Sequence, residues 1–150
     1  MGKGGHFAVM SELLLRGWNV AIPEVDIGDD IFVVQDEDGT LRRVQVKTSQ
    51  ATKIQDGFSG QFSLPVKQLK KISNILVHYI FIVRNEKKWT EPIIFRQDYL
   101  LDYYENDNIG SEYEGYLNLH FSFQKDNIVC SKIDITKYIS DFTDFPIIKH

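Results

Sequence analysis

Residues 30–49 constrain the fold of this chain more than any other stretch. Asp-Ile-Phe-Val-Val is followed by Gln-Asp-Glu-Asp-Gly-Thr and then by Leu-Arg-Arg-Val-Gln-Val-Lys-Thr-Ser. Two apolar runs around Asp38-Gly39 predict a β-hairpin: glycine tolerates positive φ, and the acidic neighbours keep the tip in water. Side chains alternate along a strand, so Gln45, Lys47 and Ser49 share one face of the second strand, and Asp30, Phe32 and Val34 share one face of the first. A carboxylate then lies beside an amide and an ammonium. Such groups are costly to bury in an apolar hairpin unless they bind each other, water or a metal.

The chain has 150 residues, 43% of them hydrophobic and 13% aromatic, enough for one domain with a substantial core. There is no internal repeat, no apolar run of transmembrane length and no signal-peptide pattern at the N-terminus, so the simplest expectation is a cytoplasmic protein with no membrane partner. Cys130 is the single cysteine, which excludes an internal disulfide and argues against a cysteine-based zinc site. The net charge of −4 argues against a general nucleic-acid coat, but the charge is unevenly spread. Residues 61–97 carry 7 basic and 2 acidic side chains, whereas residues 98–150 carry 4 basic and 10 acidic. The central segment can face phosphates, or Lys67, Lys70 and Lys71 can be the solvated side of a helix.

Periodicity and punctuation predict the other elements. A helix is expected over 5–16, with Phe7, Met10, Leu13 and Leu14 inward and Gly17 as its stop. A short strand over 20–22 ends at Pro23. Residues 24–30 hold four carboxylates (Glu24, Asp26, Asp29 and Asp30) that repel one another unless solvated or bound to a cation. Residues 50–62 read as a loop or irregular edge. Ser63-Leu64-Pro65 opens a predicted helix to about Ser73. Strands follow over 76–83 and 92–95, then a short helix from Asp98 to Tyr104, an acidic loop, two strands over 116–123 and 128–133, and a last helix over 134–142. This is a mixed α/β order beginning α-β-β-β-α-β, expected to form one central mixed sheet flanked by helices.

Chemistry concentrates in the first third. Glu12, Asp26, Asp30 and Gln45 offer the hard oxygen ligands that Mg²⁺ or Mn²⁺ prefers. Lys47 projects from the face of Gln45, where an ammonium can hold an attacking water or neutralise charge in a phosphoryl transition state. Each residue also has a purely structural reading. Glu12 can pair with Arg16 one turn on. Asp26 and Asp29 can be turn formers. Lys47 can guard a sheet edge. His78, inside an apolar run, reads as a hydrogen-bonded core residue, and Thr48 and Ser49 as strand polar groups.

A leading helix with Glu12, a short strand to Pro23, Asp26-Ile27-Gly28-Asp29-Asp30 before an apolar strand, a hairpin, and Gln45-Val46-Lys47-Thr48-Ser49 together resemble the PD-(D/E)xK nuclease superfamily. The similarity is to its branch with Gln in place of the second acid, the homing-endonuclease and Holliday-junction-resolvase-like proteins. It covers residues 4–49 in detail and the element order to about Phe95. It implies a single restriction-endonuclease-like domain over 1–150, with the motif-bearing core at 4–95 and a β-β-α extension at 96–150. It further implies a Mg²⁺- or Mn²⁺-dependent endonuclease acting on duplex or branched DNA, with a homodimer as a natural assembly. Asp30 would be the central metal-binding carboxylate, Gln45 the second ligand, Lys47 the catalytic lysine and Glu12 a supporting acid, with Asp26 as a further metal candidate. The sequence departs from the family in its neutral Gln45 and in lacking a proline directly before the first acid. Two other readings accompany this one: a catalytically silent nuclease-like domain that binds nucleic acid or a protein, and a self-associating domain whose interface is its tyrosine-rich C-terminal part.

Overall fold

The computed structural model describes residues 2–23 and 30–149, with Asp30 described in its backbone alone. The fold is mixed α+β with two sheets, one of them a mixed half-barrel, and it begins α-β-β-β.

The first sheet is built from β1 (Asn19–Ala21), β2 (Asp30–Gln35), β3 (Thr40–Gln50), β6 (Leu76–Asn85), β7 (Lys88–Trp89) and β8 (Ile93–Arg96). The β2–β3 hairpin forms as the Asp-Gly signal predicts. Gly39 sits at φ 73°, and the turn is pinned by Gly39 N–H donating to the Gln35 carbonyl and by Thr40 N–H donating to the Asp38 carboxylate. β3 then pairs in parallel with β6, while the other pairings in this sheet are antiparallel. A parallel pairing needs a long crossover, and here the crossover carries the second sheet. That sheet comprises β4 (Thr52–Ile54), β5 (Gly57–Pro65), β9 (Ser111–Tyr113), β10 (Tyr116–Phe123), β11 (Ile128–Cys130) and β12 (Ile133–Asp134).

β6 explains why its sequence is a continuous apolar run: it is covered on both sides. Ile80 and Ile82 face α1 (Gly2–Leu15), in a cluster with Val9, Leu13, Val44 and Val46. Tyr79, Phe81 and Val83 face the second sheet, in a cluster with Phe62, Leu64, Leu119 and Phe121. The molecule is thus layered: helix α1 and the C-terminal segment, then the mixed sheet, then the antiparallel sheet. Residues 97–149 belong to these layers as much as the hairpin does. They supply α3 (Gln97–Asn106), four of the six strands of the second sheet and a return over α1, where Trp18 Nε1–H donates to the Pro146 carbonyl at 2.9 Å and Ile148 N–H to the Arg16 carbonyl at 2.8 Å. No helix among the described residues is long and apolar enough to cross a membrane.

Four expectations are corrected. A single central sheet becomes two. Residues 57–65 form strand β5, not a loop running into a helix, and the helix that follows, α2 (Val66–Leu69), is one turn long. The inward stripe of β5 is Phe58, Gly60, Phe62 and Leu64. Gly60 hides the alternation because a Cβ there would lie 2.6 Å from Val83 Cγ2, where the sheets approach closely. Helix α2 stops because Gln97 Nε2 reaches across and donates to the carbonyls of Gln68, Leu69 and Lys71. The last helix is replaced by β12 and a 3₁₀ turn at Thr136–Tyr138, since Asp134 accepts from Thr136 N–H as a turn former and the Thr136 hydroxyl accepts from Ile128 N–H. Finally, α1 is rotated from the expected face. Gly5, Val9 and Leu13 are buried, while Phe7 is 59% exposed. Gly5 permits this, since a Cβ there would come 2.2 Å from Thr48 Cγ2.

His78 is a core residue, as expected: it is 1% exposed and its Nε2 lies 2.9 Å from the Asp144 carboxylate. Burial depresses its basicity below the usual histidine value of 6.5, outweighing the Asp144 carboxylate, which acts in the opposite direction. The unfolded chain therefore takes up this proton more readily than the folded one. Stability from neutral His78 is fully present above pH 6.5 and is lost as pH falls from there through the lower folded value. Urea midpoints measured from pH 8 downward are expected to drop across this window in the wild type, and to drop less in His78→Gln. Equal slopes in the two proteins would remove His78 from the account.

Candidate functional site

The hairpin register sets Asp30 opposite Gln45 and Phe32 opposite Arg43. On its other side β3 pairs with β6, with Gln45 level with Tyr79 and Lys47 with Phe81. β3 is paired on both sides as far as Gln45, and at Lys47 the pairing among the described residues is with β6 alone. Pleating separates its side chains. Val44 and Val46 point to α1, and Arg43, Gln45, Lys47 and Ser49 point to the other face. Gln45 and Lys47 thus stand two residues apart on the face that carries Tyr79 and Phe81, with Asp30 in register at the adjoining strand.

Glu12 is not part of this group. It belongs to α1, on the opposite face of the sheet, and its Oε1 accepts from Arg16 Nε at 3.2 Å. Arg16 in turn lies over the Phe142 ring, 3.9 Å from its centre. The pairing with Arg16 is the arrangement that the sequence offered as the structural alternative. Asp26 falls outside the described residues. Ser49 is structural: its hydroxyl accepts from Gln61 N–H at 3.0 Å and donates to the Gln50 carbonyl, tying β3 to β5. Among the described residues no three His, Cys, Asp or Glu side chains gather as a metal cluster.

Gln45 is 2% exposed, and its Oε1 finds no hydrogen-bond partner among the described residues. A buried carbonyl oxygen without a donor costs about 1–3 kcal/mol, so it marks a place where something donates or coordinates. A hard oxygen donor beside the Asp30 position fits a Mg²⁺ or Mn²⁺ ligand set. It is a weaker set than two carboxylates would make, because the amide brings no charge.

Gln45 lines a groove of about 310 Å³ with Arg43, Gln68, Lys71, Ser73 and Gln97. Gln97 is committed to capping α2. Gln68 resembles Gln45 in presenting a buried Oε1 with no hydrogen-bond partner among the described residues. Arg43 and Lys71 give the groove its positive character. The cationic bias of residues 61–97 was the sequence signal for Lys71. Nothing in the sequence singled out Gln68, whose place depends on the crossover folding back over β3. Compared with known proteins, the chain matches no family model, no curated protein and no solved structure.

Proposed function

We propose that this protein is a metal-dependent DNA endonuclease with a restriction-endonuclease-like core, acting where the β2–β3 hairpin meets the groove. The observation that carries the reading is the register of Asp30 with Gln45, with Lys47 one pleat further along the same face of β3. Asp30 and Gln45 would hold Mg²⁺ or Mn²⁺, with Asp26 as a further candidate from the connection before β2. A cation held there supplies Lewis acidity and a bound water that ionises more easily. The chain's own groups do the rest. Lys47 places an ammonium where charge grows on the phosphoryl oxygens as water attacks phosphorus and the ester oxygen departs. Arg43 and Lys71 set a positive groove beside that point, suited to the flanking phosphates. A homodimer working in the cytoplasm on two strands belongs to the same proposal.

The position of Glu12 favours a second reading, a catalytically silent domain of this fold that binds nucleic acid or a protein. The supporting acid sits across the sheet and is engaged by Arg16, which leaves a ligand set of low charge. Supercoiled plasmid, single-stranded DNA and a branched duplex incubated with Mg²⁺ and with Mn²⁺ separate the two. The endonuclease reading expects nicks or breaks with at least one metal, none in EDTA, and none from Asp30→Asn. Intact DNA in every arm with a folded protein would overturn it in favour of the silent domain.

A further inference from the structure

The groove at Gln45 continues. A second hollow of about 340 Å³ adjoins it, and Lys71, Ser73, Val77 and Gln97 line both. The pair forms one path from Gln45 on β3, past the end of α2, to Asp98 at the start of α3. Arg43 stands at the first end and Lys70 and Lys71 along the middle. Arg96, at the far end, is held by Asp98 through two bonds of 3.0 and 2.9 Å, so the cationic stretch is the middle of the path. Ile72, on the same wall, is 94% exposed, an apolar surface left open among the described residues. Gln45 and Gln68, whose buried carbonyl oxygens have no hydrogen-bond partner among the described residues, both line the first hollow.

We propose that this continuous path holds an unpaired nucleic-acid strand, with phosphates against Lys70 and Lys71, a base on Ile72 and a base-edge donor on Gln68. The proposal rests on the nuclease reading in placing the reacting phosphate at the Gln45 end. Each hollow has the size of a small-ligand pocket, too small for a duplex, whose major groove alone is about 12 Å wide. A buried carbonyl oxygen selects for hydrogen-bond donors. On a paired base only the amino hydrogens along a groove edge remain to donate, and these hollows do not admit a duplex, so the donor reaches Gln68 from an unpaired base that turns its Watson–Crick edge to the protein. An unpaired base also offers its flat face to an exposed apolar side chain, the means by which single strands are held without regard to sequence. The lysines supply the sequence-independent attraction for the backbone. The substrate class that follows is DNA with a single-stranded segment beside the cleavage point, such as a flap, an overhang or a melted junction.

The test is equilibrium binding by fluorescence anisotropy with the full chain in EDTA, so that no cleavage is needed. The probes are a short labelled single strand, the same sequence as a blunt duplex, and a single strand of equal length with abasic sites. The single strand is expected to bind at least about tenfold tighter than the duplex. Lys71→Glu is expected to weaken the single strand and to flatten its salt dependence by more than one phosphate contact. Gln68→Leu is expected to weaken the normal strand by roughly three- to tenfold and leave the abasic strand unchanged. Gln68→Glu keeps the shape of the side chain, and its melting temperature, like that of Gln68→Leu, establishes that any loss is not unfolding. Tighter or equal binding of the duplex would overturn the proposal, as would single-strand affinity unmoved in both the Lys71 and Gln68 variants. Strand binding in EDTA together with intact DNA in the Mg²⁺ and Mn²⁺ incubations would remove the nuclease reading and keep the strand path. Cleavage with duplex preferred would do the reverse.

Discussion

Lys47→Ala is expected to lower DNA cleavage by about a hundredfold or more while leaving the melting temperature within a few degrees of the wild type. The size follows from the role. A group that meets charge only as it develops in the transition state, in a site partly closed to water, is worth on the order of a hundred- to a thousandfold in rate when removed. The small stability effect follows from position. Lys47 is half-buried on the face of β3 that carries Gln45, and it belongs to neither of the two apolar clusters that pack the core. Lys47→Met separates charge from shape, because it keeps an unbranched stem of similar length. Both variants are expected to lose activity alike, and Lys47→Arg to recover little, since a planar fork does not stand in for a point charge at one fixed spot. Strand binding in EDTA is expected to change far less than cleavage. Full cleavage by Lys47→Met would show that the ammonium takes no part, and the β3 face would then be a binding surface only.

The parts of this site that could be read from the sequence are those encoded within one hairpin. Gly39 and its acidic neighbours specify a turn, the turn fixes a register, and the period of two then brings Asp30, Gln45 and Lys47 to one face without knowledge of any other element. The central run over 76–83 was legible for a similar reason: apolar at every position but His78 and too short for a buried helix, it fits a strand covered on both sides. Glu12 shows where such reasoning stops. The helix was evident, but apolar residues surround much of it, and its inward face was decided by the absence of a side chain at Gly5 above Thr48. Gly60 hid β5 in the same way. In both cases a close approach between layers selects glycine, and a pattern built on apolar side chains has no mark for it.

The groove was less legible still. Gln68 acquires its meaning only because the chain leaves β3, builds β4 and β5 of another sheet and returns through a single helical turn beside Gln45. That turn ends where it does because of Gln97, some thirty residues on, an interaction with no local signature. The C-terminal third, which the resemblance left without a counterpart, proves to be the structural partner of this crossover: β10 pairs with β5 from Phe58 to Pro65. The groove and the second sheet are therefore one feature of the fold, and the wall that carries Gln68 and Lys71 is only as firm as the core beneath it.

That dependence gives the second large prediction. Phe81→Ala is expected to destabilise the protein by about 3–5 kcal/mol, a substantial part of the 5–15 kcal/mol that typical domains possess. Phe81 is fully buried, and its ring joins both sheets: its centre lies 4.9 Å from that of Phe62 on β5, 5.1 Å from Phe121 on β10 and 6.1 Å from Phe95 on β8. All three contacts are edge-on, the geometry that aromatic rings prefer beyond simple area burial. Removing the ring leaves a cavity walled by paired strands of both sheets, which limits how far they can collapse into it. Urea unfolding of Phe81→Ala against the wild type measures the loss, with an unchanged slope showing that the same surface is exposed. Phe81→Leu, which fills much of the space, is expected to lose less than half as much. Because Phe81 lies level with Lys47 in the β3–β6 register, Phe81→Ala is also expected to weaken single-strand binding before it unfolds, as β5 and α2 loosen against β3. A loss below about 1 kcal/mol, outside the range for deleting a buried ring, would mean that the two sheets do not share this core. The groove wall would then have to be held by Gln97 and the helix ends alone.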